Sequence, residues 1–137
     1  MRVPRNWHKV YNHNYIGHTP IPGPEGYYYN GIKVFYWQEE KMNLSLEELV
    51  KKRFNGTNKN QYLNVIDQNV SIDTTKYGKT FTYKYHTKMN GNERITISKF
   101  FQYKEILYQF YGISDLKYFM KYKDDHEFIF NNLKFID

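Results

Sequence analysis

The sequence contains no cysteine, and this absence removes several kinds of chemistry at once. Disulfide bridges, thiol catalysis and zinc sites built on cysteine are all excluded. Proline is also scarce, and three of the four prolines lie in one segment, His18–Gly26, together with two glycines. Because proline and glycine interrupt regular structure, we predict that this segment is a loop.

Long apolar runs are missing as well. No stretch approaches the roughly 20 residues of a transmembrane helix, and the chain does not start like a signal peptide. A strand is nevertheless predicted almost at Met1, from Val3 to Tyr11. We therefore expect an upstream segment in the native protein, such as a signal or a lipid-anchored extension, and an extracytoplasmic location that is membrane-anchored or secreted.

The chain carries a net charge of +6 and has a pI near 9.3. This balance favours anionic partners such as nucleic acid, anionic lipid or teichoic-type polymers. The lysines are spread along the chain, and Lys51, Lys52 and Arg53 form the only cluster of three. This distribution favours ordinary solvated lysines over a dedicated nucleic-acid surface.

What the sequence has in abundance is aromatic residues, with 15 tyrosines and 10 phenylalanines. Phe81, Tyr83 and Tyr85 alternate with polar residues, and Asn90-Gly91 is a typical hairpin turn. The apolar set is predicted to continue on the two strands that follow, so that residues 80–112 form a β-meander. Its further members are Ile95, Ile97, Phe101, Tyr103, Ile106, Tyr108 and Phe110. Lys99 interrupts the set, which predicts an edge, a bulge or a lysine stem lying across the sheet.

The clearest helix signal covers Leu44–Gly56, where Ser45 and Glu48 have the spacing of a capping box and Gly56 is expected to end the helix. The remaining predicted elements are a strand over Ile32–Gln38, one or two short strands within 62–74, a short helix through Tyr122 and a last helix from Asp124 or Asp125 through Asn132. Helices combined with antiparallel strands indicate an α+β domain spanning residues 1–137.

No pattern of residues indicates catalysis or a bound metal or cofactor. His8, His13 and His18 lack the spacing of metal ligands, and the serines lack the local signatures of nucleophiles. We therefore predict that the protein is not an enzyme. A partner-binding surface is instead predicted from aromatic residues close to the proline-rich loop. These residues are Tyr27, Tyr28, Tyr29, Tyr36 and Trp37.

Several segments together resemble PsbP-like domains: VPRNW, IKVFYW, LSLEELVKKRF, FFQYKEILYQFYG and FMKYKDDHEFIFNNLKF. The resemblance spans nearly the whole chain, but its motifs are structural positions and carry no active-site signature. It implies an α/β/α sandwich with a central, mostly antiparallel sheet. The family includes the extrinsic photosystem II protein PsbP, bacterial lipoproteins and secreted proteins, and a nuclear-transport factor that binds the Ran GTPase.

The resemblance leaves the function open between several classes. The leading expectation is a non-enzymatic binding or assembly module of a bacterial cell-envelope protein that recognises a protein or anionic polymer. One alternative is a cytoplasmic chaperone or adaptor for a secreted effector, such as the chaperones associated with type VI effectors. A second alternative is a nucleic-acid-binding protein, whose affinity would fall steeply with salt.

Overall fold

The aromatic runs of the sequence form the strands of one antiparallel sheet. A computed structural model of the protein describes residues 5–12, 15–20, 30–37, 45–57, 64–89 and 91–134. The strands are β1 (His8–Asn12), β2 (Tyr15–Thr19), β3 (Gly31–Trp37), β4 (Asn64–Thr75), β5 (Gly78–Met89), β6 (Asn92–Tyr103) and β7 (Ile106–Asp115). The helices are α1 (Leu46–Thr57), a 3-10 turn (Leu116–Tyr118) and α2 (Phe119–Asn131). The order across the described part of the sheet is β1-β2-β3-β7-β6-β5-β4.

Each face of the sheet buries a separate apolar core under a helix. On the face covered by α1, here called the α1 face, the core is formed by Leu49, Val50, Phe81, Tyr83, Tyr85, Phe100 and Leu107. On the opposite face, the α2 face, the core is formed by Trp7, Ile32, Phe101, Phe110, Tyr122, Ile129, Phe130 and Leu133. Two helical layers with an antiparallel sheet between them confirm the predicted α+β class and the α/β/α arrangement.

The register of the meander divides the predicted apolar set between these two faces. Phe81 pairs with Phe100, so Phe100 joins the α1 face while Phe101 points to the α2 face. The predicted apolar set is therefore divided between the two faces, because a shift of one residue in a strand reverses its faces. The hairpin itself is confirmed, since Met89 pairs with Asn92 and Gly91 has a φ of 82°.

Helix α1 starts with the predicted capping box. The Ser45 backbone N–H donates to the Glu48 carboxylate at 2.9 Å, and the Glu48 N–H donates to the Ser45 hydroxyl at 3.2 Å. These two bonds satisfy backbone donors that have no partner within the helix. At the other end the helix includes Gly56 and ends at Thr57, so the prediction that Gly56 stops it was wrong.

The capping box gives a first testable prediction. Glu48→Ala removes one of the two reciprocal bonds and is expected to lower the free energy of unfolding by about 0.5–1 kcal/mol, within the range for lost helix caps. Glu48→Gln keeps an acceptor at the same place and is the matched control, with a smaller loss. Urea denaturation followed by circular dichroism measures both. Equal losses in the two variants would contradict a role for the reciprocal bond.

Several predicted boundaries differ from the structure. β2 (Tyr15–Thr19) was not predicted, and it contains His18, which we had placed in a loop. The one or two strands expected within 62–74 are the single strand β4, with an irregularity between Val65 and Asp67. The two predicted C-terminal helices are one 3-10 turn followed by α2, so Asp124 and Asp125 lie inside a helix. The proline-rich residues 21–29 lie outside the described residues.

Candidate functional site

Only two of the five residues of the predicted aromatic surface are among the residues that the structure describes. Tyr27, Tyr28 and Tyr29 lie outside the described residues. Tyr36 and Trp37 follow each other in β3, so their side chains point to opposite faces of the sheet. Tyr36 is 54% exposed, whereas Trp37 stacks on Phe35 at 5.8 Å and packs against the α1-face core. The two described members of the predicted site therefore do not share one surface.

A second candidate is β4, the last strand of the sheet in the part of the chain that the structure describes. It is 12 residues long, and its side chains are exposed from Val65 to Thr74. Val70 and Ile72 are paired with Tyr83 and Phe81 of the α1-face core, yet they remain 48% and 54% exposed. The strand thus combines an outer backbone edge with an apolar row beside the core.

The other side of β4 is polar and borders a pocket under helix α2. The pocket has a volume of about 210 Å³ and lies between α2 and the strands β4 to β7. Its lining combines apolar groups with three lysines, a histidine and one carboxylate. The lining residues are Asn69, Ser71, Thr82, Lys84, Ile97, Lys99, Phe110, Gly112, Lys123, His126 and Glu127.

His126 enters this pocket because Gly112 leaves room for it. A Cβ atom at position 112 would lie 2.8 Å from the His126 Nδ1 atom, so only glycine fits there without a shift of the imidazole. The ring is 93% buried and packs edge-on against Trp7, with ring centroids 5.9 Å apart. Burial lowers the pKa of His126 from 6.5 to about 4, so the imidazole is neutral at pH 7.

Lys99 crosses the floor of the same pocket. Its ammonium lies 4.9 Å from the centre of the Phe130 ring of α2. Lys99 lies in β6, which is paired on both sides without a register shift at this residue, so the alternatives of an edge or a bulge are wrong. Burial lowers the pKa of Lys99, while the negative charges of Glu127 and Asp73 act in the opposite direction. Lys84 approaches α2 in a similar way, 5.0 Å from the centre of the Phe119 ring.

The β4–β5 turn fixes the end of α2 beside the pocket. The Tyr77 hydroxyl lies 2.7 Å from the Phe130 carbonyl oxygen and 2.9 Å from that of Leu133. The Lys76 ammonium donates to the Asn131 carbonyl oxygen. Carbonyl groups in the last turn of a helix have no partner within the helix, and a cation is favourable there. The turn therefore holds α2 in a defined position over the strands.

A further polar cluster lies at the other end of the sheet. The Asn30 side chain donates to the Asp115 carboxylate at 2.9 Å and accepts from the Asp115 N–H at 3.0 Å. The buried Arg94 places Nε 3.4 Å from the same carboxylate. These contacts join β3 to β7 and β6, which indicates a structural role. Within the described ranges, no three histidine or acidic side chains are grouped in a way that could hold a metal ion.

The pocket cannot be identified from the sequence. The distribution of Lys84, Lys99 and Lys123 along the chain is that of solvated lysines, and the position of His126 is that of an ordinary residue on the face of a helix. The one available signal was Lys99, a charged residue within an alternating apolar run. The pocket brings together residues from four strands and a helix, and that grouping depends on the sheet register.

No protein-family model matches the sequence, and no curated protein matches it. Solved structures are similar in fold. One is the solution structure of PsbP from the cyanobacterium Synechocystis sp. PCC 6803, with a TM-score of 0.64 and 12% sequence identity. The match covers 90% of this chain and 78% of the PsbP chain. The chain has a PsbP-like fold.

A second structure of similar fold is PA94 from Pseudomonas aeruginosa, a protein of unknown function described as a candidate regulator. Its TM-score is 0.62 and its sequence identity is 7%. The match covers 96% of this chain and 99% of the PA94 chain. At these identities the PsbP-like fold is what the similarities show. Within the described residues, no helix is both long enough and apolar enough to cross a membrane.

Proposed function

We propose that the protein is a non-enzymatic binding module that recognises a partner protein through strand β4. The observation that carries this proposal is the long outer strand, with Val70 and Ile72 exposed beside the α1-face core. An outer strand offers a row of backbone donors and acceptors to an extended segment of another chain. Side chains at alternate positions of that segment would then contact the exposed apolar row.

The polarity of β4 specifies the kind of segment that fits. Its α1 face offers Val70 and Ile72, whereas its α2 face carries Asp67 and Asp73. A complementary strand would place apolar residues at every second position on the first face and polar or basic residues on the second. An extended, amphipathic segment of a protein is therefore the partner that we propose, in preference to an anionic polymer.

The setting in which this binding takes place is a further part of the proposal. The leading setting is the bacterial cell envelope, where the module would assemble with or stabilise a protein partner. The alternative is a cytoplasmic chaperone or adaptor that holds an extended segment of a secreted effector. Both use the same edge strand, so they differ in the compartment in which the partner is found.

The test compares two charge-introducing variants in pull-down experiments from envelope and cytosolic extracts. The double variant Val70→Lys/Ile72→Lys is expected to lose the partner, because it places two ammonium groups on the apolar row. Met120→Lys is the matched control, since Met120 is an apolar residue of α2 that is 77% exposed, and α2 packs on the face of the sheet opposite to Val70 and Ile72. Both variants are expected to stay within about 0.5–1 kcal/mol of the parent in stability, as exposed substitutions do.

Hydrogen exchange on the purified complex then locates the contact. Amides of β4 are expected to exchange more slowly when the partner strand pairs with them, while those of β1 stay unchanged. A partner that binds the double variant as well as the parent would contradict the proposal. A ligand that proves to be nucleic acid, with affinity falling steeply as salt increases, would replace it with the second alternative.

A further inference from the structure

The pocket under α2 has the composition of a small ligand site. Its apolar lining comes from Ile97 and Phe110, and its polar lining comes from lysines and short polar side chains of β4 and β5. A volume of about 210 Å³ is below the roughly 300–1,000 Å³ typical of pockets for drug-sized ligands. The space therefore suits a small molecule with one apolar and one polar end.

The charge of the pocket is predominantly positive. Lys84, Lys99 and Lys123 contribute three ammonium groups, and Glu127 contributes the single carboxylate of the lining. Among the described residues, none of these ammonium groups has a carboxylate oxygen within 4.0 Å. A half-buried ammonium without a close ion pair loses hydration and is not stabilising in itself. Lys99 contacts the Phe130 ring, but its charge has no close carboxylate among the described residues.

His126 supplies an independent observation at the same place. Its imidazole lines the pocket, and its Nε2 atom is buried with no hydrogen-bond partner among the described residues. Buried polar atoms in folded proteins almost always have a partner, and a ligand in the pocket is one group that would supply it. The imidazole is also held in place from behind by Trp7 and Gly112, which fixes its orientation relative to the pocket.

From these observations we infer that the pocket binds a small amphipathic anion. A carboxylate or phosphate head group would lie beside Lys99, with Lys84 and Lys123 adding positive charge at longer range, and a short apolar portion would lie on Ile97 and Phe110. The site is separate from the apolar row of β4, because Val70 and Ile72 point to the α1 face whereas the pocket lies on the α2 face. An experiment can therefore disprove anion binding in the pocket without disproving partner binding at β4, and the reverse.

Isothermal titration of the full chain with three probes tests this inference. Heptanoate and hexyl phosphate carry the two head groups on the same hexyl chain, and 1-hexanol carries no charge. We expect saturable binding of at least one anion and none of hexanol. The tighter of the two anions identifies the head group, because both present the same six-carbon chain to Ile97 and Phe110.

Two substitutions distinguish the pocket from general attraction to a basic protein. Lys99→Met is expected to weaken anion binding by about tenfold or more, as expected for loss of a charge-assisted contact. Lys121→Met removes one positive charge from an exposed position of the same helix, outside the pocket lining, and is expected to leave the affinity within about twofold. The melting temperature of Lys99→Met is expected to equal or exceed that of the parent.

Each outcome of this experiment decides the question. A selective loss in Lys99→Met with the fold retained supports the pocket. Absence of saturable anion binding overturns the inference, as does equal binding of hexanol. Equal losses in Lys99→Met and Lys121→Met overturn it as well, because they would show attraction to the net charge of the chain.

Discussion

Replacing Phe101 with alanine is expected to lower the free energy of unfolding by about 3–5 kcal/mol, the cost of removing a buried phenylalanine from a well-packed core. Phe101 has no exposed surface. Its ring stacks between Tyr77 at 4.9 Å and Tyr108 at 5.7 Å, and meets the edge of Phe130 at 6.0 Å. One side chain thus joins β6, β7, the β4–β5 turn and helix α2.

Urea denaturation followed by tyrosine fluorescence and circular dichroism measures this loss. Phe128→Ala is the matched control, because Phe128 is the same residue type on α2 but is 47% exposed. The control is expected to change stability by about 0.5–1 kcal/mol or less, as for most exposed positions. A similar loss in the two variants would contradict the packing of α2 on Phe101.

Stability is also expected to depend on the protonation of His126. The pKa of this group is about 4 in the folded chain and 6.5 when unperturbed, so the unfolded chain binds the proton first as the pH falls. The stabilising contribution is complete above pH 6.5 and is lost between pH 6.5 and 4. A difference of this size corresponds to about 3 kcal/mol of stability.

His126→Gln removes the titrating group and leaves a polar side chain in its place. The loss of stability between pH 7 and pH 4 is expected to be smaller in this variant by about 3 kcal/mol. Carboxylates titrate in both proteins, so the difference between the two stability curves isolates the imidazole. Parallel curves would contradict the burial of His126 against Trp7 and Gly112.

Local signals in the sequence predicted much of the fold. Ser45 and Glu48 are only three residues apart when they form the capping box, and Asn90-Gly91 forms a single turn. Both the start of the helix and the hairpin therefore follow from short-range interactions. His126, Ile129, Phe130 and Leu133 are spaced at i, i+3, i+4 and i+7, which predicts one face of a helix, and all four are buried. These features need no knowledge of how distant segments meet.

Features that depend on distant pairing were not predictable in the same way. Tyr36 and Trp37 looked like one aromatic surface until the sheet placed them on opposite faces. The pocket of Lys84, Lys99 and His126 exists because β5 and β6 are neighbours and α2 crosses them. Alternation within one strand does not show which face of the sheet the apolar side chains of the neighbouring strand lie on. That depends on the register between the two strands.

The long-range link between Asn30 and Asp115 has a consequence for how the chain folds. The strands β4 to β7 pair with their neighbours in sequence, whereas β3 must pair with β7, and these two hydrogen-bonded residues are 85 positions apart. Closing such a long loop has a high entropic cost and slows folding. During synthesis, the strands β1 to β3 are made before β7, so they remain without this partner until the last of the described strands has been made.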